Sequence, residues 1–189
     1  MRSPLVVFGM LAVGVLFMGE FAVFTYLRPF LERVTQVDVS TLSMLLLLIG
    51  VFGLVGTVFV GHLLTWSLRT VLVVTPVLMA AMVVVLLAAG RSLPATAVLL
   101  AVWGLVSTSA PVAWFTWLAK TLPQDAEAGG GLMVAIIQLA ITLGASVGGL
   151  LFDHQGYQLT FLAGAGLLAV SAALSIAAGQ FGRRTLSIN

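Results

Sequence analysis

The 189-residue sequence has no cysteine, which excludes disulfides, thiolate metal sites and cysteine nucleophiles and leaves redox compartment unmarked by this residue. Charge is almost as scarce. Only 7% of the residues are Asp, Glu, Lys or Arg, against roughly 25% in a typical soluble domain. The two histidines, His62 and His154, fall near the ends of apolar runs and stand too far apart to suggest a metal site; each reads as an interfacial polar residue. Paired carboxylates, a nucleophile with its base and a phosphate-binding loop are all missing, so the sequence offers no constellation for an enzyme and no cofactor site. Eight basic residues against six acidic ones leave a net charge of +2, too small and scattered an excess to mark a nucleic-acid partner.

What remains is apolar. Hydrophobic residues make up 61% of the chain and mean hydropathy is +1.20, more than one water-soluble core of this length could bury. The solvent for most of the surface is therefore membrane lipid. A helix crossing about 30 Å of hydrocarbon needs about 20 apolar residues, and six such runs are expected, at approximately 5–26, 41–64, 68–89, 95–118, 131–152 and 157–180. They make residues 1–189 a single six-helix bundle, all-α and polytopic. The first run exceeds a signal-peptide core and no small-residue cleavage site precedes Glu20, so it reads as a retained helix. Nearly all the charge lies in the short connections. With the N-terminus inside, Arg2, Arg69, Lys120, Arg183 and Arg184 are cytoplasmic and Arg28, Arg33 and Arg91 external, which favours two cytoplasmic termini.

The runs pair in character as one with four, two with five and three with six, the pattern of two inverted three-helix repeats. Runs one and four carry the irregularities: Glu20 in the first, and Ser107, Thr108, Ser109, Pro111, Trp114 and Trp117 in the fourth. Runs two and five carry spaced small residues, Gly50, Gly53, Gly56 and Gly61 in one and Ala140, Gly144 and Gly148 in the other. Runs three and six are plainer Ala/Val/Leu helices suited to facing lipid. Small residues at such spacing let a second helix approach closely. The neighbour is either within this bundle or in a second bundle.

Glu20 is the most unusual residue, since a carboxylate inside a span is costly and ordinarily faces a bundle interior or an aqueous cavity. It lies about 22 Å along its helix. Two readings stand: a cavity-lining group, or a structural or snorkelled carboxylate. Arg28, just before Pro29, reads as an interface anchor. Pro111 removes an intrahelical hydrogen bond, and the hydroxyls of Ser107, Thr108 and Ser109 can occupy freed carbonyls, so a bend is expected there. Trp117, beside Lys120, reads as part of an interfacial aromatic belt. Trp114, one turn deeper, offers a face that could stack on a sugar or nucleobase. Gln138 and Thr142, four residues apart, share a helix face and contact either substrate or another helix.

The segments GEFAVFTYLRPFLE, Gly19 to Glu32, and WGLVSTSAPVAWFTWLAKTLPQDAEAGGGLMVAIIQLAITLGASVGGLLFD, Trp103 to Asp153, resemble the seventh and the tenth-to-eleventh helices of the major facilitator superfamily. Within it the chain is most similar to proton-coupled efflux permeases, and in the PVAWFTW and VAIIQLA stretches to bacterial purine ribonucleoside efflux pumps. The resemblance implies one bundle of a twelve-helix, two-bundle fold. In that fold the first and fourth helices of each bundle line a cavity and the second and fifth meet the other half. It implies efflux of a small polar solute from the cell across its inner membrane by proton antiport. The partners implied are membrane lipid, protons, substrate and a second six-helix bundle, either an N-terminal half or a homodimeric copy. Candidate pathway residues are then Glu20, Phe24, Trp103, Trp114, Gln138 and Thr142, and candidate packing residues Gly50, Gly53, Gly56, Gly144 and Gly148. Only the C-terminal six helices of the family are matched. The connection GHLLTWSLRT lacks the acidic residue of the family's signature loop, and relatives often carry a neutral polar residue or His in place of Glu20, so a proton-carrying role for it does not follow from the resemblance. A sugar or drug permease half, and a non-transporting bundle or gene remnant, remain as alternatives.

Overall fold

The computed structural model describes residues 3–186, with the side chains of Trp66 and of residues 181–186 left undescribed. Arg2, counted above for orientation, lies outside the described residues, and Arg183 and Arg184 are described by backbone alone. Every regular element among the described residues is helical: α1 (Pro4–Phe24), α2 (Leu27–Phe30) running into a π-helical turn (Leu31–Thr35), α3 (Val39–Ala89), α4 (Leu93–Ser107), α5 (Ser109–Thr121) and α6 (Ala126–Leu186). Five helical stretches are long and apolar enough to cross a membrane: Pro4–Thr35, Val39–Thr65, Ser67–Ala89, Leu93–Thr121 and Ala126–Gln180. The last is 55 residues long, about 80 Å if straight, and it breaks at Gly156, where φ is 81° and ψ is −179°. Only glycine adopts that backbone conformation without strain. The break yields six apolar helical segments.

Local chemistry sets the other boundaries. Ser3 caps α1 by accepting from the Val6 amide at 3.4 Å, with Pro4 at the first helical position, where its missing N–H costs nothing. Asp38 caps α3 through the Thr41 amide at 3.1 Å. The 51 residues of α3 contain a kink at Ser67, which leaves helical geometry; its Oγ accepts from the Thr70 amide at 3.2 Å and so starts the next span as a cap. At the other end of that span, Thr35 and Thr96 both donate to the Gly90 carbonyl, at 2.7 and 3.3 Å.

Helix α1 packs chiefly on α6, and α3 on α4. The glycines show why. A Cβ at Gly144 would strike the Met18 backbone, and one at Gly148 would lie 3.2 Å from the Ala22 carbonyl oxygen. In the other repeat, Gly53 and Gly56 abut Thr108 and the Leu105 carbonyl, and Gly104 meets the backbone of Ile49. Fifth span on first and second span on fourth are one contact made by opposite members of two related three-helix units, the geometry of an inverted repeat. In lipid, close backbone approach of this kind holds helices together by dispersion where hydrophobic exclusion cannot. Gly50 and Gly61 have no neighbour within 4 Å of a Cβ position.

Candidate functional site

The fourth span does not run straight. Helix α4 ends at Ser107 and α5 begins at Ser109, because Pro111 has no N–H for the Ser107 carbonyl. Hydroxyls bond other carbonyls around the break: Thr108 donates to those of Gly53 and Gly104 at 2.8 and 3.1 Å, and Ser109 to that of Val106 at 2.6 Å. The bond to Gly53 also ties the break to the second span. The symmetry-related clasp on the first span is Tyr26, whose hydroxyl donates to the Ala145 carbonyl at 2.8 Å and whose ring stacks on Phe152 at 5.1 Å. Beyond it the chain forms the π-helical turn, where Arg33 lies 5.4 Å from the Phe152 ring centroid.

The six candidate pathway residues divide into two groups. Glu20, Trp103 and Trp114 are buried. Glu20 is 8% exposed, and its Oε2 and the Trp103 Nε1 find no hydrogen-bond partner among the described residues. An unpaired carboxyl oxygen in a low-dielectric interior is expensive. Trp114 is packed edge-on against Trp117, ring centroids 5.4 Å apart, and borders a small cavity of about 110 Å³ with Leu68, Arg69, Leu72, Ser175 and Gly179. Its face is thus committed to the bundle interior. Trp117, expected in an interfacial belt, is also buried: Gly9 abuts its indole so closely that no Cβ would fit.

Phe24, Gln138 and Thr142 are exposed. Phe24 lines a shallow recess with Phe21, Thr25, Leu46 and Ile49. The Thr142 hydroxyl donates to the Gln138 backbone carbonyl at 2.9 Å, and the exposed Gln138 side chain has no hydrogen-bond partner among the described residues. Beside it, α1 and α6 flank an open apolar recess of about 400 Å³ lined by Met10, Leu11, Met18, Ile136, Leu139 and Leu143, among others. Sequence reasoning passed over Tyr26, Arg69 and Ser175; a tyrosine at a span end and a serine in an Ala-rich helix carry no periodic signal.

A polytopic α-helical membrane protein made of inverted three-helix repeats is the class these features define. The chain belongs to the Major Facilitator Superfamily, whose sequence profile matches residues 9–184. Among its relatives are the transcription regulatory protein OpdE of Pseudomonas aeruginosa, 49% identical over 176 residues that cover 93% of this chain and 44% of the relative. Purine ribonucleoside efflux pumps NepI of Salmonella enteritidis and Salmonella typhimurium are 39% and 38% identical over 178 residues, 94% of this chain and 45% of each pump. The chain therefore spans less than half the length of these relatives.

Proposed function

We propose that residues 1–189 form one six-helix half of an inner-membrane efflux permease with both termini cytoplasmic, working by alternating access with a second six-helix bundle. The solute is a purine ribonucleoside, exported against inward proton movement. One observation carries this reading: Gln138 and Thr142 form a polar patch on an exposed, otherwise apolar face of α6, with Leu139 and Leu143 beside them. A primary amide facing hydrocarbon would forfeit its hydrogen bonds, so that face borders an aqueous route or another bundle. An amide can also meet both donor and acceptor positions on a purine edge. Glu20, buried with an unpaired oxygen, supplies a group able to take up and release a proton. The names of the Salmonella relatives support the choice of solute.

The test is export of inosine from cells producing this chain together with an N-terminal six-helix bundle. Export above that of cells with the partner bundle alone, and its loss in Gln138→Leu, is the expected result. Export no faster than controls defeats the nucleoside assignment.

A further inference from the structure

Three connections meet at one end of the bundle, those between spans one and two, three and four, and five and six. They surround a pocket of about 480 Å³ lined by Arg33, Val34, Thr35, Gln36, Arg91 and Tyr157. None of the six candidate pathway residues lines it. The carboxylates of these connections do not answer its two cations. Glu32 bonds Arg28 at 2.8 Å, and the Asp38 carboxylate accepts from Ser40 and Thr41. Asp153, exposed beside Phe152, forms no ion pair with a described residue. Arg33 and Arg91 thus share a pocket without a counter-charge, and cations so placed repel one another until an anion joins them.

Both cations are held where they stand. Arg33 lies 5.4 Å from the Phe152 ring centroid, a cation–π contact that uses none of its N–H donors. Arg91 follows Gly90, whose carbonyl accepts from Thr35 and Thr96 at 2.7 and 3.3 Å. Gly90 is pressed against the Phe30 ring so closely that no Cβ would fit, and Phe30 meets Tyr157 edge-on at 5.4 Å. The Tyr157 hydroxyl and the Gln36 side-chain amide have no hydrogen-bond partner among the described residues. Gln36 also holds a left-handed backbone, φ 58° and ψ 44°, uncommon for a residue other than glycine.

We propose that Arg33 and Arg91, with the Tyr157 hydroxyl and the Gln36 amide, form a binding site for a phosphate ester presented by a phospholipid headgroup. Each guanidinium carries paired N–H donors that match two phosphate oxygens, and the phenol and amide add neutral donors. The volume of about 480 Å³ falls within the roughly 300–1,000 Å³ of small-molecule sites, enough for a phosphate together with the glycerol it esterifies. The position of the pocket favours a lipid as carrier. Arg91 follows the third span and Tyr157 opens the sixth. Both spans carry exposed apolar residues within about two helical turns of the pocket, Val84 and Val85 in one and Leu162 in the other. Acyl chains lying on such residues bring a headgroup phosphate to the span ends.

The test uses the purified full chain in a non-ionic detergent at low ionic strength, with thermal unfolding followed on addition of dihexanoyl phosphatidylglycerol, dihexanoylglycerol or glycerol 3-phosphate. The site predicts saturable protection by the phosphatidylglycerol, weaker protection by glycerol 3-phosphate and none by the phosphate-free glycerolipid. Half-maximal protection should need about tenfold more lipid in Arg33→Gln or Arg91→Gln and a few-fold more in Tyr157→Phe, the loss of a charged and of a neutral hydrogen bond. Arg33→Lys, which keeps the charge and loses the fork, should fall between Arg33→Gln and the parent. Lys120→Gln removes the same charge at the other end of the bundle and should leave protection unchanged. Glycerol 3-phosphate protecting as well as the lipid overturns the lipid as carrier and leaves a site for soluble phosphate esters. Equal protection by dihexanoylglycerol, equal weakening in Lys120→Gln, or protection unchanged in both arginine variants overturns the site.

Discussion

Gly144→Ala should destabilise the bundle by about 2 kcal/mol, although it adds one methyl group. The added Cβ would lie 3.0 Å from the Met18 carbonyl carbon and 3.1 Å from its Cα, and closer still to the oxygen. These are backbone atoms that no rotamer change can move aside. Helices α1 and α6 must part by several tenths of an ångström, and a gap of 0.5–1 Å forfeits about a quarter to a half of each dispersion contact. The cost spreads to Gly148, where a Cβ would lie 3.3 Å from Ala22 Cα, and to the Tyr26 hydroxyl bond to Ala145. Overpacking of this kind ordinarily costs about 1–3 kcal/mol, and about 2 kcal/mol is roughly a 30-fold change in the unfolding constant. Gly50→Ala is the control, since nothing lies within 4 Å of its Cβ position; it should be neutral or gain up to about 1 kcal/mol of helix propensity. Gly56→Ala, the counterpart in the other repeat, should cost as much as Gly144→Ala because its Cβ would strike the Leu105 carbonyl. The assay is reversible unfolding by sodium dodecyl sulfate in mixed micelles, followed by circular dichroism. A Gly144→Ala chain as stable as the parent, or a Gly50→Ala chain as damaged as Gly144→Ala, would refute the reasoning.

Gly156→Ala meets no atom within 4 Å, yet its φ of 81° should make it cost about 1–3 kcal/mol in the same assay. Tyr26→Phe keeps the stack on Phe152 and loses only the 2.8 Å bond to Ala145, for a loss of about 0.6–1 kcal/mol. Hydrogen bonds from the side chains of Ser40 and Thr41 and from the Thr41 amide lower the Asp38 carboxyl from the ordinary 3.8 to about 2. Because the folded value is depressed, this contribution is complete above pH 3.8 and fades as pH falls through about 2; Asp38→Asn should flatten the thermal stability profile across that window. Glu20→Gln should uncouple export from the pH gradient while leaving the helical fold intact, and export with unchanged pH dependence retires Glu20 from coupling.

Much of the architecture is legible in the sequence because lipid imposes coarse rules: apolar length, charge at the ends, small residues where helices meet. The expected pairing of runs two with five rests on Gly53, Gly56, Gly144 and Gly148, all of which meet a backbone or side chain of this same chain. What the spacing does not reveal is the partner, because Met18 and Leu105 contribute carbonyls, and a carbonyl is the same at every residue. Trp117 misleads for a related reason. Its place beside Lys120 suggests a belt, and the slot that buries it comes from Gly9, more than a hundred residues earlier. The depth of Glu20 is readable by counting, whereas its unpaired oxygen depends on what the helices packed around it fail to offer. Arg69 and Ser175 come to line one small cavity only through the fold.

The central claim is that the α6 face bearing Gln138 and Thr142 borders a water-filled route shared with a second six-helix bundle. Since the chain has no cysteine, Gln138→Cys introduces a single thiol into it, and labelling of that thiol by a membrane-impermeant maleimide in native membranes tests the claim directly. The account predicts rapid labelling that inosine slows. A thiol reached only by lipid-soluble reagents, at a rate that inosine leaves unchanged, would contradict it.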